Sequence, residues 1–353
     1  MQIRGRDRFG STFDLAVAGD RWAGPDGSDL FDLGSLTCLP GLVDAHAHLS
    51  GDDLELGEAE PSAIVARALA AAEGGVAICL DKGWADDTVL ELVASGAIRR
   101  PRVVAAGTML RSADGYWDGF GRVVDDTGLV AEVERMAPGR PWIKIVGDWP
   151  RRGRGALPNF GEEALAAAVA AAHRAGTRVA VHTMAPGVAS AAVRAGVDSI
   201  EHGLFLDGDD LVALAGRGGV WVPTVLRVEE VAATMKSGSS GAELLGRGLD
   251  NLRRLLPVAA EVGVTVMSGS DLAVASGLIG REVSALIRFG LPVEAAIDGA
   301  SEAGAAAVGL ESGLRPGMPA DLVAYRGDPI SDPAVLERPV VVISGGVLVT
   351  DRR

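Results

Sequence analysis

The chain has 353 residues, 48% hydrophobic and 23% charged, enough for a sizeable core and unlike a disordered polypeptide. Its formal charge of −14, from 47 acidic and 33 basic residues, argues against nucleic acid or an anionic membrane as a partner, since both need a basic face. No apolar leader follows Met1-Gln2-Ile3-Arg4, and no run of about 18 apolar residues occurs, so the expectation is a cytoplasmic protein acting on a small molecule.

Residues 11–18 and 30–33 read as β-strands separated by turn residues. A series of short apolar runs follows, over 38–43, 76–80, 102–106, 142–146, 178–181, 198–200, 220–222 and 264–267. They are rich in β-branched residues, as parallel strands buried on both faces are. Helical stretches alternate with them, among them 61–73, 87–95, 162–175, 187–195 and 242–261. Pro61 suits a first helical turn, and Gly176 and Gly196 suit C-terminal caps. Residues 237–241, Ser-Gly-Ser-Ser-Gly, read as a mobile loop. Beyond residue 312 the pattern returns to strands, at 322–325 and 340–350.

Eight strand–helix units predict an α/β fold, a (β/α)8 TIM barrel over residues 39–312. Residues 1–38 and 313–353 are expected to form a small β-sandwich domain from both termini. A doubly wound open sheet is the alternative, but it needs a Gly-rich phosphate turn after the first strand, and none is present. Cys38 and Cys79 have no metal or redox spacing and read as buried thiols of a reducing compartment.

The first parallel run leads into Asp44-Ala45-His46-Ala47-His48. In extended backbone, residues two apart face the same side, so both imidazoles can reach one metal. In Trp142-Ile143-Lys144-Ile145-Val146 a lysine interrupts an apolar strand. Burying an unpaired ammonium is costly, so Lys144 either pairs with a carboxylate such as Asp148 or is modified. Carboxylation by CO2 would turn its neutral amine into an anion able to bridge two cations. His182 and His202 each end a short apolar run, and Asp271 follows one behind the small residues Ser268-Gly269-Ser270.

Taken singly, each of these residues is more often structural. Together they put metal-capable side chains at the carboxyl ends of strands one, four, five, six and eight, which share one rim in a barrel. His46, His48 and Asp271 are assigned to one divalent ion, His182 and His202 to another, and carboxylated Lys144 to the bridge between them. Lys82, the other lysine near the rim, is the substitute candidate for the bridge. His173 sits in the last turn of a helix, where a cation suits the dipole, and is read as structural. Glu201 precedes His202, is expected to point away, and is left out of the site. Arg111, Tyr116 and Arg151, in the loops after strands three and four, are candidates for holding a substrate carboxylate.

These motifs resemble the amidohydrolase superfamily. Residues 39–48, Leu-Pro-Gly-Leu-Val-Asp-Ala-His-Ala-His, are similar to its first-strand motif, Ile200-Glu201-His202-Gly203 to its sixth-strand motif, and Gly269-Ser270-Asp271 to its eighth. Residues 313–323 resemble its return to the β-sandwich. Ile143-Lys144-Ile145 is closest to the imidazolonepropionase and Xaa-Pro dipeptidase branch, and that resemblance implies two zinc ions and a carboxylated lysine. Strand five departs by lacking a second histidine two places after His182, and the loop over residues 108–121 lacks a Gly-Gly-His stretch.

The expected activity is hydrolysis of an amide or peptide-like C–N bond in a small, carboxylate-bearing substrate by a hydroxide that bridges the metals. Asp271 is expected to act as acid and base for the reaction. A cyclic amidase or deaminase, and a retired homologue serving as a scaffold, are the alternatives. The ligand types do not distinguish zinc from manganese, iron or nickel. Oligomeric state, homo-oligomer included, is left open.

Overall fold

The computed structural model describes residues 1–51, 60–273 and 277–353. Eight parallel strands organise it: β1 Leu42–Ala47, β2 Val76–Asp81, β3 Arg102–Ala105, β4 Trp142–Val146, β5 Arg178–Thr183, β6 Ser199–His202, β7 Val220–Val222 and β8 Thr265–Val266. β1, β2 and β3 pair in order in one sheet, and β4 to β8 pair in order in another. Backbone bonds connect the two sheets: Ala45 N donates to Ser268 O at 2.8 Å, just beyond β8. Helices lie between the strands, so the class is α/β.

Alternation along the strands sorts their side chains. Ile143 and Ile145 of β4 join the large core shared with helix residues such as Leu129, Val133, Leu165 and Val169. Trp142 turns to the opposite face and packs with Val43, Ala180, Val220 and Met267. Lys144, two residues on, follows Trp142 onto that inner face. The helix Glu162–Arg174 has two glutamates in its first turn and His173 and Arg174 in its last, matching the macrodipole.

Two local expectations need correction. The run 38–43 is two strands: Leu30–Pro40 belongs to the terminal sheet, and β1 begins at Leu42. They part at Gly41, where a Cβ would lie 2.3 Å from the Ala77 Cβ, so a glycine is required. Residues 237–239 form a turn ahead of the helix Ser240–Val262, which the Ser239 hydroxyl opens by accepting from Ala242 N at 3.2 Å as an N-cap. The segment after β4 is a hairpin, Asp148–Arg151 against Gly155–Pro158.

Strands from both termini pair into one seven-stranded sheet, with Leu322–Tyr325 running antiparallel to Leu30–Pro40. Ile3, Leu15, Trp22, Cys38, Leu322 and Ile343 form its own apolar cluster. The strand pairing by itself gives one sheet. Among the described residues, no helix is long and apolar enough to cross a membrane.

Candidate metal centre

The site grows from the ends of the strands. Between Asp44 and Ala47, β1 slips in register against β2, and His46 within the slip and His48 just past it come together, their Nε2 atoms 3.2 Å apart. His48 Nδ1 lies 2.8 Å from the Gly83 carbonyl, which can only accept, so Nδ1 carries the proton. His46 Nδ1 lies 2.6 Å from Glu201 Oε2, a short contact not aligned as a linear hydrogen bond. A carboxylate at that distance again requires the proton on Nδ1. Both Nε2 atoms therefore present lone pairs to one another, an arrangement that calls for a cation between them.

Asp271 completes a triangle. Its Oδ1 lies 3.5 Å from His46 Nε2 and 3.4 Å from His48 Nε2. Ligands about 2.1 Å from a tetrahedral ion are themselves about 3.4 Å apart, so the donor set fits a divalent metal. Asp271 reaches this place because its backbone turns left-handed, at φ 40, while its N–H donates to His46 O at 2.8 Å.

His182 and His202 make the second group, with His202 Nε2 2.9 Å from His182 Nδ1. His202 Nδ1 lies 2.6 Å from the Thr224 hydroxyl, which donates onward to the Pro223 carbonyl, so the hydroxyl accepts from the ring. Ligand atoms of His46, His202 and Asp271 all fall within 4.8 Å of one another, bringing the two groups together. Burial holds both imidazoles neutral, lowering His46 to about 3 and His202 to about 4.

Lys144 is buried, and its Nζ has no hydrogen-bond partner among the described residues. Burial lowers the amine to about 8, against the pull of Glu201. The expected alternative partner, Asp148, faces elsewhere: its Oδ2 accepts from Met184 N and Ala185 N at 2.8 and 2.9 Å.

Four buried carboxylates brace the loops that carry these ligands. Asp44 accepts from His46 N and from Ser270 N, joining the ends of β1 and β8. Asp81 accepts from Leu49 N and Gly83 N, joining β1 and β2. Asp148 joins β4 to β5, and Glu282 accepts from Val225 N and Leu226 N beside Thr224. Each carboxylate satisfies backbone donors that would otherwise be orphaned at a strand end.

Glu201 overturns its expectation. It is fully buried and faces inward, with Oε1 3.0 Å from Lys82 Nζ and 2.5 Å from Ser199 Oγ, and Oε2 against His46. Burial opposes its charge, but Lys82 and Lys144 hold it ionised, well below the usual carboxylate range. Alternation does put Ser199 and Glu201 on one face. What brings His202 to the same place is its left-handed backbone, φ 63, which breaks the alternation at the last residue of β6. Lys82 is thus a counter-charge, with its Nζ also 4.5 Å from the Trp142 ring centroid. His173 lies on a helix end and pairs with Asp198 at 2.9 Å, away from the ligands.

The proposed substrate residues divide. Arg111 is buried and donates to Phe120 O at 2.7 Å. Arg151 donates to Ala113 O, to Ser112 Oγ and to Asn159 Oδ1 at 2.8–2.9 Å, tying the hairpin to the preceding loop. Neither is directed at the ligand cluster by these bonds. Tyr116 does approach it, its ring centroid 6.3 Å from that of His182. A cleft of about 750 Å3 lies between Ser112, Asp125, Arg151 and Asn159, and none of the six ligand candidates lines it.

An α/β framework with imidazoles, a lysine and an aspartate gathered at parallel strand ends defines a hydrolase-type site suited to divalent cations. The chain belongs to the amidohydrolase family, whose profile matches residues 37–349, and membership places it among hydrolases of carbon–nitrogen bonds. An uncharacterized protein of Mycobacterium tuberculosis is 32% identical over 348 residues, covering 94% of this chain and 90% of that one. Ochratoxinase of Aspergillus niger is 26% identical over 351 residues, covering 86% and 73%. A crystal structure of a Xaa-Pro dipeptidase with methionine bound in its active site superposes with TM-score 0.82, at 26% identity and 98% coverage of both chains.

Proposed function

We propose that the chain hydrolyses an amide or peptide-like C–N bond of a small, carboxylate-bearing substrate, with two divalent metal ions, zinc foremost, held by His46, His48, His182, His202 and Asp271 and by carboxylated Lys144. The reading takes the eight parallel strands as a closed (β/α)8 barrel over residues 39–312, with residues 1–38 and 313–353 as a β-sandwich domain beside it. A cytoplasmic location belongs to the same reading.

The observation that carries it is the triangle of His46 Nε2, His48 Nε2 and Asp271 Oδ1, with edges of 3.2–3.5 Å, beside the unpartnered amine of Lys144. Bound metals would supply Lewis acidity, polarising the scissile carbonyl and acidifying water. The chain's own groups do the remaining work. The neutral Lys144 amine adds to CO2, forming a carbamate and releasing one proton. Asp271 takes a proton from the attacking water and returns it to the leaving nitrogen. Thr224 and Glu201 keep the His202 and His46 rings in the tautomers that leave Nε2 available. Support for a substrate carboxylate comes from the dipeptidase relative, which has an amino acid in its active site.

The test is metal analysis with a turnover screen over N-acyl amino acids, dipeptides and cyclic amides. About two ions per chain, with turnover abolished by chelation and restored by metal, is the expected result. Lys144→Ala should lose turnover and regain part of it with short carboxylic acids. Protein that remains metal-free after zinc-supplemented purification, or that turns over nothing when loaded, overturns the proposal.

A further inference from the structure

Phenylalanine, tryptophan and tyrosine make up only 4% of the chain, yet five of these residues meet on one side of the metal centre. Trp84 follows β2, Tyr116, Trp117 and Phe120 follow β3, and Trp149 follows β4. Trp84 stands 5.2 Å from His48, ring centroid to centroid, and 4.8 Å from Phe120. Trp117 continues the series to Trp149 at 4.8 Å. Trp149 reaches His182 at 5.9 Å, and Tyr116 packs on Trp149 at 4.5 Å. A band of rings thus runs from one ligand group to the other.

The band has a rigid back and an open front. Trp84 and Phe120 are buried, whereas Tyr116, Trp117 and Trp149 keep part of their surface in solvent. The rings meet tilted or edge to face, the geometry that favours a further ring against the exposed faces. Arg111 and Arg151 donate into the same loops, so these loops are braced without any ligand.

We propose that this wall recognises a planar apolar group, an aryl ring above all, joined next to the scissile C–N bond on the side facing His182. The inference rests on the hydrolase reading and deepens it by naming the substrate class: N-aroyl or N-arylacyl amides in preference to N-alkanoyl ones. A preformed aromatic wall discriminates by burying the guest's ring, and even one well-placed aromatic contact is a factor of several in kcat/KM.

The experiment compares N-benzoylglycine with N-acetylglycine on the metal-loaded protein, by turnover and by titration of tryptophan fluorescence. At least a tenfold preference for the benzoyl compound is expected in kcat/KM and in apparent affinity. Trp117→Ala and Trp149→Ala should each collapse that ratio, mainly through KM, with metal content unchanged, and Trp117→Phe should keep most of it. Equal turnover and equal binding of the two compounds overturn the inference while leaving the hydrolase reading intact. A fluorescence preference without turnover of either compound overturns the placement of the aryl group beside the scissile bond, and leaves the hydrolase reading to its own substrate screen. If the alanine variants fail to fold, the wild-type ratio decides alone.

Discussion

Lys82 Nζ and Glu201 Oε1 lie 3.0 Å apart, with both side chains shut away from solvent. This pair adjoins the candidate metal ligands, since the other Glu201 oxygen meets His46. Lys82 and Ser199 meet one oxygen of Glu201 and His46 lies against the other, while the nearby Lys144 amine has no hydrogen-bond partner among the described residues. A buried ion pair is costly to assemble and costlier to halve.

Replacing Glu201 with Gln should therefore act on metal and on stability together. Lys82 loses its counter-charge, a change worth about 3–5 kcal/mol of destabilisation. Glu201 uses both oxygens, one toward Lys82 and Ser199 and one toward His46, and a glutamine offers only one acceptor, so the partner that fixes the His46 tautomer is weakened, a change that lowers metal affinity about 10–100-fold. Competition with a chromogenic chelator and urea unfolding measure the two effects. An E201Q protein with wild-type zinc affinity would remove Glu201 from the site's design.

Gly269 is the second test. A Cβ built there lies 2.6 Å from the His46 Cβ and 2.7 Å from Val222 Cγ1. Gly269→Ala should push His46 out of the donor triangle and overpack the strand ends, a cost of about 1–3 kcal/mol. The expected readout is fewer metal ions per chain at a given free-metal concentration, with secondary structure intact by circular dichroism. Unaltered stoichiometry and stability would show that the close approach is not required.

Acid should weaken the fold through the imidazoles. In the unfolded chain a histidine takes its proton near 6.5, but burial lowers folded His46 to about 3 and His202 to about 4. Between those limits the unfolded state holds more protons, so stability rises with pH across the window and is lost as pH falls from about 6.5 toward 4. Asp148 and Glu282, raised by burial to about 7 and 8, slope the opposite way above their unfolded values. The comparison of wild type with His202→Asn isolates the imidazole part. Urea unfolding of chelator-treated protein at pH 4.5 and 7 should show the smaller pH effect in the variant, and equal effects would refute the assignment.

Much of the chemistry is written locally. His46 and His48 stand two apart at the end of an apolar run, and Lys144 breaks the middle of another, so residue type and period alone flag them. The parallel strands were legible for the same reason, since runs buried on both faces are continuous and apolar. Where β1 starts was not, because Gly41 matters only through its approach to Ala77 on a neighbouring strand.

Alternation held for Glu201 as far as the strand lasted, but the left-handed turn at His202 and the pairing with Lys82 depend on chain more than a hundred residues away. The same holds for Arg111 and Arg151, whose donors were claimed by nearby carbonyls and side chains only once the loops had folded. Sequence by itself determined which side chains can bind a cation, because residue type and strand period are local properties. Tertiary structure alone decided which buried charges neutralise one another, because that depends on distances set by the packing of segments remote in the chain.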